Sequence, residues 1–443
     1  MKSESSYYFL IEHILGRAKM SNHFETKAIH SGYEPDPTTL SRAVPIYRTS
    51  AFVFNDTEHA ANLFSLKELG NIYTRLMNPT QDALEQRMAD LEGGAAALAL
   101  SSGTSAIFYT IINICKQGDE VVSASNLYGG TYTQFNNILP QFGINTKFVD
   151  VTDLAAFENA ITEKTKIIFV ESIGNPTLDV ADIEAISQIA KKYKLPLVVD
   201  STFTTPFLLR PIEHGANIVI HSLTKWIGGQ GTGIGGIVID AGNFDWTDEK
   251  FELFNEPEGS YNNLRFAHDL GPLNPVAFAL RMRLVPLRNL GACISPDNAW
   301  LFLQGLETLA LRMERHCENT FKVAKFLEDH EKVSWVKYPG LESDPNHELA
   351  ERYLPKGQGA VVVFGHKDGR DAAEKFINNL QLFSHVANVG DAKSLAIHPA
   401  STTHSQLPDD VQLNSGGLTP DLVRLSIGIE HIDDIIADLE QAL

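Results

Sequence analysis

The chain has 443 residues, more than one compact core usually holds, so its length predicts two domains. Its formal net charge of -19, with no basic block to offset it, excludes a nucleic-acid-binding protein, and no apolar run approaches the ~20 residues needed to span a membrane. Three cysteines, Cys115, Cys293 and Cys317, are far apart and odd in number, which favours reduced thiols and a cytoplasmic location over a disulfide framework.

The first 80 residues lack strong periodicity and are predicted to lie outside the main domains. Residues 1–19 include the apolar run Tyr7–Leu15, but polar residues interrupt it and no clear cleavage site follows. We therefore interpret 1–19 as a disordered extension. Residues 20–80 are rich in turn formers, with one helical patch, and predict an N-terminal arm that contacts a neighbouring subunit.

Between residues 81 and 297, short apolar runs alternate with helical segments. Strands that alternate with helices imply crossover connections, and these give a largely parallel sheet covered on both faces. We therefore expect an α/β domain here. The predicted strands are Ala97–Ser101, Glu120–Ala124, Thr146–Val151, Lys166–Glu171, Leu195–Asp200, Asn217–His221 and Gly236–Asp240.

From residue 298 to residue 443 the pattern changes. A long helical pattern over Asn298–His330 is followed by strands predicted at Val333–Tyr338, Gly359–Gly365 and Val423–Gly428. Mixed strands with helices between them predict a smaller α+β C-terminal domain.

Polar residues follow the predicted strands at their carboxyl ends, where parallel sheets bind ligands. One strand ends in Glu171, the next in Asp200, and a third leads through Ser222 and Thr224 to Lys225. Pyridoxal 5′-phosphate (PLP) needs an amine for its aldehyde, a carboxylate for its ring nitrogen and a cradle for its phosphate. A lysine and an aspartate after successive strands meet the first two needs, although an arbitrary pair of this kind is usually an exposed lysine and a capping aspartate.

A turn that contains hydroxyls and a glycine, Ser101–Thr104, precedes an apolar helix predicted at Ser105–Ile114. Unpaired N–H groups and the positive end of the helix dipole favour a phosphate there. Taken alone, the turn is better explained as an ordinary helix cap. Beside Asp200 and Lys225, it supplies the phosphate cradle that PLP requires.

A glycine-rich run over residues 228–236 contains a G-x-G-x-x-G pattern at Gly231, Gly233 and Gly236. A dinucleotide-binding loop with this pattern follows a strand and opens a helix. Here the run opens a strand instead, which excludes a nicotinamide cofactor. Backbone freedom for a loop packed near a cofactor or a subunit interface explains the glycines better.

Two segments, 198–206 (VVDSTFTTP) and 221–225 (HSLTK), closely resemble the Cys/Met metabolism family of PLP-dependent enzymes. The resemblance runs from about Glu25 to the C-terminus. It implies PLP as cofactor and the PLP-dependent transferase fold, which is aspartate-aminotransferase-like and of fold type I. The family includes cystathionine γ-synthase, the cystathionine lyases, methionine γ-lyase and O-acetylhomoserine sulfhydrylase.

The resemblance also implies roles for individual residues. Lys225 matches the Schiff-base lysine, Asp200 the partner of the ring nitrogen, and Tyr128 the tyrosine that stacks on the ring and assists proton transfer, so these three are the predicted catalytic residues. Asn175 matches the residue that bonds the ring hydroxyl. The matches to phosphate contacts are Ser222, Thr224, Gly103 and the backbone amide of Thr104, where most relatives carry methionine.

Four further residues match positions that bind the substrate or an adjacent subunit. Tyr73 and Arg75 resemble the pair that reaches the phosphate of a neighbouring subunit, which implies at least a dimer and favours the homotetramer usual in the family. Arg424 matches the arginine that clamps the substrate α-carboxylate, a task that suits a bidentate guanidinium. Ser394 sits where the family helps to hold the same carboxylate.

Two features favour an O-acetylhomoserine sulfhydrylase within this family. The segment Gly390–Leu395, continuing over His398–His404, resembles those enzymes, and the long region from Ala241 to about Leu290 resembles their insertion. The implied reaction converts O-acetyl-L-homoserine and sulfide into L-homocysteine and acetate. The histidines at the two ends of 398–404 have no cysteine or acidic companions at ligand spacing, so no metal is expected.

Other functions on the same scaffold are a cystathionine γ-synthase, a cystathionine or methionine γ-lyase and, more distantly, a non-catalytic PLP-binding regulatory protein. The carboxylate clamp predicted at Arg424 speaks against the last, because a pure binding role does not require it. The preferred acyl donor (acetyl or succinyl) and sulfur nucleophile (sulfide, methanethiol or cysteine) stay open.

Overall fold

The computed structural model describes residues 22–402 and 418–443. The extension predicted over 1–19 lies outside these ranges, as do Thr403 and His404 of the C-terminal motif. Within the described ranges, no helix is both long and apolar enough to cross a membrane.

The N-terminal arm contains two short helices, α1 (Phe24–His30) and α2 (Thr57–Phe64). Asp56 caps α2 by accepting a hydrogen bond from the backbone N–H of His59, as N-cap residues do. Several apolar side chains of the arm are exposed in the single chain, and Val53 is 96% accessible. The arm therefore leaves part of its apolar surface uncovered by its own chain.

Seven strands form the central sheet of the large domain: β1 (Ala96–Leu100), β2 (Glu120–Ala124), β3 (Asn145–Val149), β4 (Thr165–Glu171), β5 (Leu197–Asp200), β6 (Ile218–Ser222) and β7 (Gly236–Asp240). They lie in the order β1-β7-β6-β5-β4-β2-β3, and neighbours are parallel except for the two pairs that involve β7. The predicted largely parallel sheet is confirmed. The strand ends lie within two residues of their predicted positions, and the two-residue differences are at the end of β3 and the start of β5.

Helices cover both faces of this sheet: α3 (Pro79–Glu92), α4 (Gly103–Ile114), α5 (Gly129–Thr133), α6 (Leu154–Ala160), α7 (Ile183–Lys192), α8 (Thr205–Leu208), α9 (Glu252–Asn255), α10 (Ala277–Met282) and α11 (Arg288–Leu290). Side chains alternate between the faces along a strand. On β5, Val198 packs in one apolar core with Ile107 of α4, and Val199 packs in the other with Ile186 of α7. This double coverage explains why β4 is buried at every residue.

The long helical pattern after residue 298 forms two helices, α12 (Pro296–Glu307) and α13 (Leu309–Asp329). Gly305 lies so close to the loop after β6 that a Cβ there would stand 2.2 Å from the carbonyl oxygen of Ile227. The break between α12 and α13, at Thr308, therefore lies three residues after the point where α12 contacts the loop that carries Lys225. The sequence pattern alone presents the two helices as one continuous helix.

In the described part of the smaller C-terminal domain (298–402 and 418–443) lie five strands and three further α-helices: β8 (Val333–Lys337), α14 (His347–Tyr353), β9 (Val361–His366), α15 (Arg370–Asn379), β10 (Ser384–His385), β11 (Leu395–Ile397), β12 (Leu422–Ser426) and α16 (Ile432–Ala442). Its mixed sheet has the order β10-β11-β12-β9-β8. Val423 and Leu425 of β12 belong to the apolar core of this domain. Arg424 between them therefore points to the opposite face of the sheet, where it meets Asn175 of the large domain.

Candidate active site

Lys225 lies in a tight turn directly after β6. Its backbone N–H donates to Ser222, and its carbonyl accepts from the N–H of Gly229 at 2.7 Å. The side chain is half-buried, and Nζ donates a hydrogen bond to Oδ1 of Asn388 at 2.5 Å. Burial, with a contribution from the charge of Arg424, lowers the pKa of Lys225 to about 8. A lysine with this pKa is partly uncharged, and therefore nucleophilic, near neutral pH.

A buried arginine of α13 fixes the backbone that follows this lysine. The guanidinium of Arg312 donates to the carbonyl oxygens of Trp226 at 2.6 Å, Ile227 at 3.1 Å and Gly305 at 2.7 Å. Burial lowers the pKa of Arg312 to about 10, so it remains charged at neutral pH. Charge-assisted bonds to three carbonyls hold the Lys225 turn against α12.

Asp200 ends β5 one strand away from the lysine. Its Oδ1 accepts hydrogen bonds from the backbone N–H of Thr202 at 3.0 Å and from the Thr202 hydroxyl at 2.6 Å. Burial raises the pKa of Asp200, and the bonds from Thr202 oppose this rise. The hydroxyl oxygen of Thr202 also accepts from the backbone N–H of Ser222 at 2.8 Å. Thr202, which was not predicted as a site residue, thus couples Asp200 to the strand end that leads to Lys225.

The N-terminus of α4 packs directly on the end of β6. Ser102 caps the helix by accepting from the N–H of Ser105, and the first N–H groups of a helix have no partner inside it. A Cβ on Gly103 would stand 2.8 Å from Cβ of Ser222, and one on Gly236 would stand 2.1 Å from the carbonyl oxygen of Ser102. Glycine at both positions therefore brings the amide groups of the helix end and the Ser222 hydroxyl together.

The hydroxyl of Thr224, also predicted to contact phosphate, is engaged within its own loop. It donates to the carbonyl oxygen of Gly235 at 3.3 Å and accepts from the N–H of the same residue at 3.1 Å. These bonds tie the Lys225 turn to the start of β7. Contact between Thr224 and a phosphate stays a prediction.

Arg424 is 6% exposed, and burial lowers its pKa to about 10, so the guanidinium is charged at neutral pH. It donates to Oδ1 of Asn175 at 2.9 Å and to the backbone carbonyl of Asn388 at 3.4 Å. Both acceptors are neutral, so these bonds leave its charge uncompensated and able to bind a carboxylate. Asn388 contacts Arg424 through its backbone and Lys225 through its side chain, so it joins the clamp arginine to the Lys225 turn.

Ser394 occupies a different environment from the one predicted. It is fully buried, its hydroxyl donates to Oε2 of Glu430 at 2.9 Å, and the same hydroxyl accepts from the N–H of Gly428. The described contacts therefore commit Ser394 to a structural network and place Asn388, not Ser394, against Arg424. Asn388 lies two residues before the motif that begins at Gly390, and no sequence signal marked it.

The other predicted residues lie around this centre. Tyr128 precedes α5 and is 50% exposed. On the arm, the guanidinium of Arg75 lies 5.1 Å from the ring centroid of Tyr73. Nε of Arg75 is buried and has no hydrogen-bond partner among the described residues.

These features fit the cofactor that the sequence predicts. Lys225 and Asp200 offer a half-buried amine and a half-buried carboxyl, and the glycines at α4 and β7 leave room that side chains would otherwise fill. The arrangement can hold an aldehyde, a protonated ring nitrogen and a phosphate at one edge of the sheet.

Comparison with known proteins agrees with this geometry. Residues 25–443 match the family model described as Cys/Met metabolism PLP-dependent enzyme. The O-acetyl-L-homoserine sulfhydrylase of Leptospira meyeri is 55% identical to this chain, and the alignment covers 95% of this chain and 96% of that protein. The homocysteine synthase of Schizosaccharomyces pombe is 54% identical, and the alignment covers 96% of this chain and 98% of that protein. A crystal structure of a putative O-acetylhomoserine (thiol)-lyase from Campylobacter jejuni, which carries a pyridoxyl-lysine monophosphate, is similar with a TM-score of 0.91, 45% identity and coverage of 95% and 99%.

Proposed function

The chain belongs to the Cys/Met metabolism family of PLP-dependent enzymes, and from this premise we propose that it converts O-acetyl-L-homoserine and sulfide into L-homocysteine and acetate. One observation carries the proposal: the contact chain from Lys225 through Asn388 to Arg424, in a protein 55% identical to a sulfhydrylase of that substrate. The chain is therefore a transferase of an aminocarboxypropyl group, with a role in methionine and cysteine biosynthesis.

The residues at the end of the sheet hold the cofactor and move protons. When bound, PLP supplies an electron-accepting ring that stabilises negative charge on the substrate carbons. Lys225 provides the amine that binds its aldehyde, and a lysine of this pKa can also take and return protons at those carbons. Asp200, fixed by Thr202, keeps the ring nitrogen protonated.

The phosphate would be held by the amides of Gly103 and Thr104 and by the hydroxyl of Ser222, with Thr224 as a further predicted contact. Tyr128, which is half-exposed, would stack on the ring, and its phenol would assist proton exchange there.

The amino-acid substrate is held by its carboxylate. Arg424, charged and bonded to neutral acceptors, forms the bidentate pair. We assign the companion contact to Asn388, because its amide already lies between Arg424 and Lys225. Asn175 orients the guanidinium through its bond at 2.9 Å, and it would also bond the ring hydroxyl predicted for it.

We further infer a homotetramer of shared active sites in the cytoplasm. The exposed apolar side chains of the arm, among them Val53, Phe64 and Tyr73, are what a neighbouring subunit would cover. The buried and unpartnered Nε of Arg75 supports a role for the arm at the phosphate of that neighbour. All three cysteines are unpaired, which supports a reducing compartment.

A competition between sulfur nucleophiles tests the reaction against the cystathionine γ-synthase alternative. With O-acetylhomoserine and equal concentrations of sulfide and cysteine, we expect homocysteine as the main product, identified by mass spectrometry. Predominant cystathionine would instead assign the chain to the synthase. O-succinylhomoserine in a parallel reaction decides the acyl donor.

The pH dependence of cofactor capture tests the environment of Lys225. With a pKa of about 8, the uncharged amine rises about fivefold from pH 7 to 8 and less than about twofold from pH 8 to 9. The rate at which the apoprotein gains visible absorbance on adding PLP is expected to follow this curve. A rise of about tenfold in each interval, as for an ordinary lysine, would contradict it.

A further inference from the structure

Glu171 is a buried carboxyl at the site that the proposed chemistry does not use. It ends β4 and lies in register with Asp200, the last residue of the neighbouring strand β5. Its side chain is 6% exposed. Two carboxyl groups thus meet at the edge of the sheet where the cofactor binds, although only Asp200 has a partner there in the proposed function.

The partners of Glu171 are backbone amides of two site loops. Its Oε1 accepts from the N–H of Tyr128 at 2.7 Å, and the backbone N–H of Asn175 also donates to this carboxyl. Burial raises the pKa of Glu171 well above its ordinary value, and the negative charge of Asp200 adds to the rise.

Both bonds lead to residues that contact the cofactor or orient the substrate clamp. Tyr128 belongs to the loop before α5, and its side chain is 50% exposed. Asn175 belongs to the loop after β4, and its side chain accepts from Arg424. From Glu171, hydrogen bonds therefore run through Asn175 to Arg424 and on through Asn388 to Lys225.

We propose that Glu171 is a positioning residue, a hydrogen-bond acceptor that fixes the backbones of Tyr128 and Asn175 and, through Asn175, the guanidinium of Arg424. The inference rests on the proposed function only for the identity of the substrate that Arg424 binds. It differs from a general structural role because loss of the acceptor would loosen these two loops selectively.

Asp240 provides a matched control. It is also a strand-end carboxyl, 2% exposed, and it accepts from two backbone N–H groups, those of Gly242 at 2.9 Å and Ala279 at 3.1 Å. It pairs with Ile218 at the start of β6, so it lies at the edge of the sheet opposite to Asp200. Removing the Asp240 carboxyl leaves two backbone amides without their acceptor, the same number as for Glu171, but at a distance from the site.

The test compares Glu171→Ala, Glu171→Gln and Asp240→Ala. In the Glu171→Ala apoprotein, we expect hydrogen exchange of the segments 126–131 and 173–180 to accelerate about tenfold, because two buried amides lose their acceptor. In the holoenzyme of the same variant, we expect the KM for O-acetylhomoserine to rise about tenfold for the same reason. Glu171→Gln keeps an acceptor oxygen and should stay within about threefold of the parent in both readouts. Asp240→Ala should lower the melting temperature but change neither the exchange rate of these two segments nor the KM.

Three results would overturn the proposal: an unchanged exchange rate and KM in Glu171→Ala, a Glu171→Gln variant as impaired as Glu171→Ala, or the same changes in Asp240→Ala. If Glu171→Ala does not fold, Glu171→Asp takes its place, since the shorter carboxyl cannot reach both amides and is expected to show the same two changes. A parent enzyme inactive on O-acetylhomoserine would refute the proposed substrate, whereas exchange in the apoprotein would still decide the role of Glu171.

Discussion

Replacing Lys225 with alanine is expected to abolish turnover and the visible absorbance of the purified protein together. In the proposed function, the lysine would hold the cofactor covalently and would carry protons to and from the substrate carbons. Loss of a positioned general acid and base alone costs roughly 10²–10⁴ in rate, and loss of the covalent attachment adds to this. The absorbance spectrum and the rate of homocysteine formation measure the two effects independently.

Lys166 is the matched control for this substitution. It is a buried lysine, 6% exposed, that pairs with Asp119 at 3.6 Å and lies on β4, two strands from β6. Lys166→Ala should reduce stability but keep the colour and most of the activity. A Lys225→Ala protein that keeps its visible absorbance would refute the assignment of the lysine.

Arg424→Lys is expected to raise the KM for the amino-acid substrate far more than it lowers kcat. Lysine keeps the positive charge but replaces the planar fork with a single ammonium, which cannot form a bidentate pair. Arg424→Ala removes the charge as well. Because truncating one partner of a buried, hydrogen-bonded charge pair costs about 2–5 kcal/mol, kcat/KM should fall by roughly 30- to 5,000-fold in that variant.

A second buried arginine separates this effect from general destabilisation. Arg281 is 4% exposed, burial lowers its pKa to about 10, as for Arg424, and it donates to Asn113 and to the carbonyl of Leu253. Arg281→Lys should lower the melting temperature and leave KM unchanged. An Arg424→Lys variant with the KM of the parent would mean that the carboxylate binds elsewhere.

The sequence predicted the parts of the fold and site that depend on local pattern. Apolar runs separated by amphipathic segments indicated the parallel sheet, because strands covered on both faces must be apolar throughout, and β4 shows this burial. Asp200 and Lys225 were selected because ligand sites follow the carboxyl ends of such strands, and the structure places both at that end of neighbouring strands; their roles stay a prediction. The family and its cofactor are confirmed by the match over residues 25–443.

Residues that act through distant contacts were not predicted. Arg312 donates to the carbonyl of Trp226, 86 positions away in the chain, and a helical arginine in an amphipathic pattern usually indicates a solvated face. Asn388 lies between β10 and β11, where no periodicity marks it. Ser394 was chosen for the carboxylate from the motif alone, whereas the folded chain engages its hydroxyl with Glu430.

The proposed reaction is tested most directly by the stoichiometry of its products with and without sulfide. With O-acetylhomoserine and sulfide, the enzyme should release one acetate for each homocysteine, and without sulfide the release of acetate should nearly stop. Release of acetate with 2-oxobutyrate and ammonia in the absence of sulfide would contradict the γ-replacement and assign the chain to the lyases.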